Sequence, residues 1–134
     1  MTLPIPRKKP KMNDQEIERE IQDKGLTAPR VTPDDIEANI SGEFCFTVGN
    51  AARALNCPVC DAVDVLTICV LTMRNGFTVT GESACASPEN FDSQLGRKIA
   101  RQNAVDKIWP LMGFALKDRL YWQHNGLKSG QQDG

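Results

Sequence analysis

Cys57-Pro58-Val59-Cys60 is the spacing in this chain that most directly suggests chemistry. A CxxC turn presents two thiolates as half of a tetrahedral zinc site needs them. A complete site requires two further ligands. No second CxxC exists, and the single histidine, His124, lies near the C-terminal end. Cys45 and Cys69 would complete four ligands if their strands lie side by side, although both alternate with residues expected in the core. Cys57 and Cys60 therefore stand as zinc candidates against the plainer reading of ordinary loop thiols, and no metal or other cofactor is expected. With Cys85 the cysteines number five. An odd count without an export signal suits reduced thiols.

No other constellation assembles a nucleophile, a base and an orienting group. His124, close to an expected frayed end, is a poor general base. Glu82 and Glu89 flank one loop, but paired carboxylates arise readily in a chain with 17 acidic residues. No glycine loop suited to cradling phosphate is present. The expectation is a protein that is not an enzyme. Arg97, Lys98 and Arg101 form a different kind of candidate: cations near the start of a predicted helix, where unpaired backbone N–H groups also favour anions. They suit phosphate or nucleic acid, the alternative being a solvated helix face. Trp109, Tyr121 and Trp122 read as core aromatics or as stacking and partner contacts.

A chain of 134 residues is the size of one domain with one core. Its apolar runs are far shorter than the roughly 20 residues that span a bilayer, and no membrane association is expected. The basic residues near the start are not followed by an apolar segment, so no secretory signal is read there. Charge is uneven along the chain. Asp34, Asp35, Glu37, Glu43, Asp61 and Asp64 face Arg53 alone, whereas Arg97, Lys98, Arg101, Lys107, Lys117 and Arg119 face only Asp106 and Asp118. An acidic middle is followed by a basic helix.

These candidates must be positioned by elements that the pattern predicts in order. Residues 1–12, with three prolines and Arg7-Lys8-Lys9, are expected to be a disordered basic arm, residues 13–122 a single α+β domain, and residues 123–134 a disordered tail. Asn13 caps a short helix bearing Ile17 and Ile21, which Lys24-Gly25 stops. Thr32-Pro33-Asp34-Asp35 starts a second, with Ile36 and Ile40 inward and Ser41-Gly42 at its end. Phe44, Phe46 and Val48 alternate as in a half-buried strand. Residues 49–64 read as an acidic loop, with room for a helical turn at 51–55.

A hairpin follows, with residues 65–73 and 77–80 as its strands. Asn75-Gly76 between them suits a two-residue type I′ turn. That turn pairs Arg74 with Phe77, Thr72 with Val79 and Val70 with Gly81. Leu66, Ile68, Val70, Phe77 and Val79 then share the core face. Val65, Cys69, Leu71 and Met73 lie on the opposite face and need a cover, so they are the candidate partner interface, for the N-terminal helix, a partner protein or a second copy of the chain. Asn90 or Asp92 caps a long helix whose stripe Leu95, Ile99, Ala104, Ile108, Leu111 and Ala115 should lie on the hairpin, with a kink or restart at Pro110. The predicted fold is α+β, in the order α-α-β-β-β-α.

Three blocks, GLTAPRVTPDDIEANI, LTICVLTMRNGFTVTGESACASPENFD and GRKIARQNAVDKIWPLMGFALKDRL, carry a resemblance across about residues 13–121. The chain resembles the phage gp-forty-nine/gp-sixty-six family of small tailed-phage and prophage proteins. The resemblance implies a phage accessory protein working in the bacterial host cytoplasm, and it assigns no activity or catalytic residue. Architecturally, a helix at 33–40, three strands and a helix at 92–109 are similar to the double-stranded-RNA-binding domain, whose basic helix meets phosphates. The acidic loop after the first strand and the added C-terminal arm depart from that domain. Two functions follow as expectations: a protein-interaction module that modulates a host factor, or a nucleic-acid binder using Arg97, Lys98 and Arg101.

Overall fold

Capping chemistry places the helix starts where the sequence predicts them. In the computed structural model, which describes residues 13–126, helix α1 (Asp14–Asp23) begins on Asn13, whose Oδ1 accepts from the Glu16 N–H at 2.8 Å. Helix α2 (Pro33–Ala38) begins in a capping box. Thr32 Oγ1 accepts from the Asp35 N–H at 3.1 Å, and Asp35 Oδ2 accepts from the Thr32 N–H at 2.9 Å. It ends earlier than predicted: Asn39 closes it, and Ile40 already opens strand β1 (Ile40–Thr47). The expected basic arm, and the expected tail from residue 127 on, lie outside the described residues.

Residues 49–64 are more ordered than the loop expected there. Helix α3 (Val48–Ala54) and the single turn α4 (Asp61–Asp64) separate β1 from β2 (Leu66–Met73). Thr47 Oγ1 caps α3 by accepting from the Asn50 N–H, and Arg53 ties α3 to α4 through Asp64 at 2.7 Å. Strand β3 (Thr78–Ala84), a 3-10 turn at Pro88–Asn90 and helix α5 (Ser93–Asn125) complete the chain. The strands form one antiparallel sheet in the order β1-β2-β3. Asp92 starts α5 by accepting from the Gln94 and Leu95 N–H groups at 2.9 and 3.1 Å. At 33 residues this helix is roughly 50 Å long. Pro110 sits inside it without ending it.

The hairpin turn corrects the sequence-based register. Met73 N–H donates to the Phe77 carbonyl at 2.7 Å, and Gly76 N–H donates to the Met73 carbonyl at 2.9 Å. The loop is thus Arg74-Asn75-Gly76, three residues long, with Gly76 at φ 91°. That is the left-handed residue a three-residue hairpin loop requires. Leu71 therefore pairs with Val79 and Cys69 with Gly81, one residue away from the predicted pairs. A one-residue shift exchanges the faces of one strand against the other. Val79 now shares its side with Cys69, Leu71 and Met73.

That side is the core. Val65, Cys69, Leu71 and Met73, expected on the outer face, are 7%, 0%, 0% and 5% exposed. Cys69, Leu71 and Met73 pack with Ile36, Val79, Ala100, Ala104, Val105 and Ile108. Burying a Leu- or Ile-sized side chain contributes about 1.5–3 kcal/mol, so this cluster supplies much of the stabilisation. The helix stripe is corrected too. Gly96, Ala100, Ala104 and Ile108, spaced by four, face the sheet with Val105, while Leu95, Ile99 and Leu111 are partly to largely exposed. Small residues win the contact because they bring the helix backbone down onto β3.

Candidate functional site

The same register leaves an apolar strip on the sheet face away from the core. Phe44 pairs with Val70 and Phe46 with Ile68, while Leu66 stands opposite Ala84. Side chains directly opposite on adjacent strands adjoin, so these residues form one continuous surface. Phe44 is 65% exposed, and Phe46, Leu66, Ile68 and Val70 are half-buried. The Phe44 and Phe46 rings meet with centroids 5.3 Å apart. Phe44 and Phe46 were legible as an alternating strand, but not as the exposed half of it. The surface candidate moves from Val65, Cys69, Leu71 and Met73 to these residues.

The three cations do not act alike. Arg101 reaches across the fold: its two terminal nitrogens donate to Glu37 of α2 at 2.9 and 2.8 Å, and its Nε donates to Glu43 of β1 at 2.7 Å. This fork-to-carboxylate pairing holds the Glu37 carboxyl below its ordinary value and raises the Arg101 guanidinium further. The acidic middle and the basic helix noted in the sequence thus meet within the molecule. Arg97 and Lys98 remain exposed. Together with Gln94, Glu43, Cys45 and Arg101 they line an open cleft of about 440 Å³.

At the floor of that cleft, Cys45 stands directly opposite Cys69 across β1 and β2. Glu43 lies two residues before Cys45 on the same side. One carboxylate oxygen and the two sulfurs lie within 4.8 Å of one another. Burial first, and then the neighbouring Cys45 thiol, push the Cys69 thiol up to about 12. The strands of Cys45 and Cys69 are adjacent, as a four-cysteine site would need. Cys57 and Cys60, however, are exposed in the α3–α4 connection and belong to no cluster of three or more metal-ligating groups among the described residues.

The remaining candidates scatter. Trp109 Nε1 donates to Asp14 Oδ2 at 3.1 Å and walls an apolar cavity of about 210 Å³ with Ile17, Ile21, Val31 and Pro33, so it docks α1. Tyr121 and Trp122 contact each other edge to face, centroids 4.9 Å apart, near the end of α5. His124 lies in the last turn of α5, and Glu82 and Glu89 are exposed. No helix among the described residues is long and apolar enough to cross a membrane.

No curated protein and no solved structure matches the chain, so the likeness to the double-stranded-RNA-binding domain finds no support there. The profile of the Phage protein (N4 Gp49/phage Sf6 gene 66) family matches residues 31–120. That span takes in the α2 capping box, the sheet with its turn, and α5 as far as Leu120. The chain belongs to the Phage protein (N4 Gp49/phage Sf6 gene 66) family.

Proposed function

We propose that this phage protein acts by binding rather than by catalysis, as an interaction module that docks on a host protein in the bacterial cytoplasm. The observation that carries the reading is the strip Phe44, Phe46, Ile68 and Val70 on the sheet face opposite α5. A continuous apolar surface with an aromatic ring 65% exposed costs free energy in water and is characteristic of interaction sites. Scattered single exposed hydrophobics would carry no such meaning.

The test is a pull-down from host lysate with the tagged full chain, beside a variant carrying Phe44→Ser and Val70→Thr. Both substitutions keep the strand and remove the apolar strip. A host protein retained by the wild type should fall at least ten-fold with the variant. Retention of the same protein by both forms, or of none by either, sinks the reading. The nucleic-acid alternative rests on Arg97 and Lys98, with Arg101 already committed to two carboxylates and Glu43 beside them. It requires a gel shift that weakens steeply with salt and is lost with Arg97→Glu and Lys98→Glu.

A further inference from the structure

We propose that Cys45, Cys69 and Glu43 form a binding site for a single thiophilic divalent metal ion, of which zinc is the representative. The site is separate from the sheet face discussed above and does not depend on it.

Three features of the geometry point to it. The sulfurs and a carboxylate oxygen already lie within 4.8 Å of one another. A tetrahedral ion with sulfur ligands at about 2.3 Å needs its sulfurs about 3.8 Å apart, so small side-chain rotations suffice. The backbone is pre-set for this: Cys45 and Cys69 are paired in register, and Glu43 precedes Cys45 by two residues on the same side of β1. The ligand set is also graded in access, with Cys69 buried, Cys45 half-buried and Glu43 exposed at the rim. A fourth position would therefore face the cleft lined by Gln94, Arg97 and Lys98, open to water or a small anion.

Arg101 at first looks hostile to a cation. Its place argues the other way. Two thiolates, Glu43 and Glu37 carry four negative charges against three on the ion and Arg101, and Arg97 and Lys98 line the same cleft to offset the remainder. Arg101 Nε donates to Glu43 Oε1 at 2.7 Å, which orients the carboxylate and leaves it acceptor capacity for the ion, and Glu37 locks the other end of the guanidinium at 2.8–2.9 Å. A hydrogen-bonded partner that orients a ligating carboxylate is the usual outer shell of a metal site. Binding replaces the proton on each thiol with the ion and releases both protons to solvent.

The experiment uses the full chain, reduced with a non-thiol reductant, stripped with chelator and titrated with cadmium and then zinc. Thiolate-to-cadmium charge-transfer absorption should rise to an end point at one equivalent, and a large excess of zinc should lower it by competing for the same ligands. Cys45→Ser should abolish the signal, Glu43→Gln should weaken affinity ten-fold or more, and the Cys57→Ser/Cys60→Ser pair should change nothing. Cys69→Ser risks the core, so Cys45→Ser and Glu43→Gln, checked for native circular dichroism, carry the test. Absence of the absorption with both thiols reduced, its survival in Cys45→Ser, or its loss in the Cys57→Ser/Cys60→Ser pair would each overturn the assignment.

Discussion

Gly81 of β3 and Ala104 of α5 approach backbone to backbone. A Cβ placed on Gly81 would lie 2.3 Å from the Ala104 nitrogen and 2.1 Å from the Ala100 carbonyl oxygen. No side chain could be interposed without lifting the helix. The neighbouring Asn103 fastens the same contact by donating from Nδ2 to the Glu82 carbonyl at 2.8 Å. The absence of a side chain at Gly81 thus lets the long helix lie directly on the sheet, and the core cluster packs around that contact.

Gly81→Ala should accordingly be among the most damaging single-methyl changes available. The obstructing atoms are helix backbone, which cannot rotate away as a flexible side chain would. Overpacking typically costs 1–3 kcal/mol, and a loss of about 3 kcal/mol or more is expected here, read as a lowered urea midpoint. A loss under about 0.5 kcal/mol would show that α5 rides more loosely on β3 than the structure has it.

Thr67 should respond in the opposite direction. Its side chain is buried in the sheet at 1% exposure, and its Oγ1 is a buried polar atom with no hydrogen-bond partner among the described residues. An unsatisfied buried hydroxyl costs about 1–3 kcal/mol. Thr67→Val keeps the branched shape and strand preference while removing that atom. The variant should be more stable by about 1 kcal/mol in equilibrium denaturation, and a destabilised variant would contradict the burial described.

Acid should loosen α1 through Glu18. Arg30 clasps its carboxylate with both terminal nitrogens, and Gln22 Nε2 donates to Oε2 at 2.8 Å. These hydrogen bonds, the Arg30 pair first, hold the Glu18 carboxyl at about 2, below its ordinary 4.5. A carboxyl whose pKa is lower in the folded chain stabilises it above the unfolded value, and that contribution is lost as pH falls through the folded one. The stability difference between wild type and Glu18→Gln should be constant at neutral pH and shrink between about pH 5 and pH 2. A difference unchanged across that window would mean that the Arg30 clasp does not persist in solution.

Local chemistry was readable from the residues alone. Asn13, Thr32 with Asp35, and Asp92 each satisfy N–H groups a few positions along the chain, so the starts of α1, α2 and α5 follow from neighbours in sequence. The β-branched and apolar composition of residues 65–73 likewise announced β2. The α+β class and the family resemblance were also open to reading from the chain, and the profile match over residues 31–120 supports the family. The Cys45–Cys69–Glu43 cluster was half visible: the two cysteines stood out, but their pairing depends on how β1 registers on β2 through the bulge at Ser41.

What the chain by itself determined, then, is where the capped helices α1, α2 and α5 begin and which stretches are strands. Which face is inside was decided only in three dimensions. An Asn-Gly pair is compatible with a two-residue or a three-residue loop, and the choice between them turns on one backbone hydrogen bond, from Met73 to Phe77. Both faces of β2 are apolar enough to be buried, so local pattern cannot break the tie. The contact of Gly81 with Ala100 and Ala104 breaks it. Only the side of β3 that bears no Cβ at Gly81 lets the small-residue stripe of α5 come close, and that side carries Val79 together with Cys69, Leu71 and Met73 inward. Phe44, Ile68 and Val70 are left facing out, on the surface proposed to meet a partner.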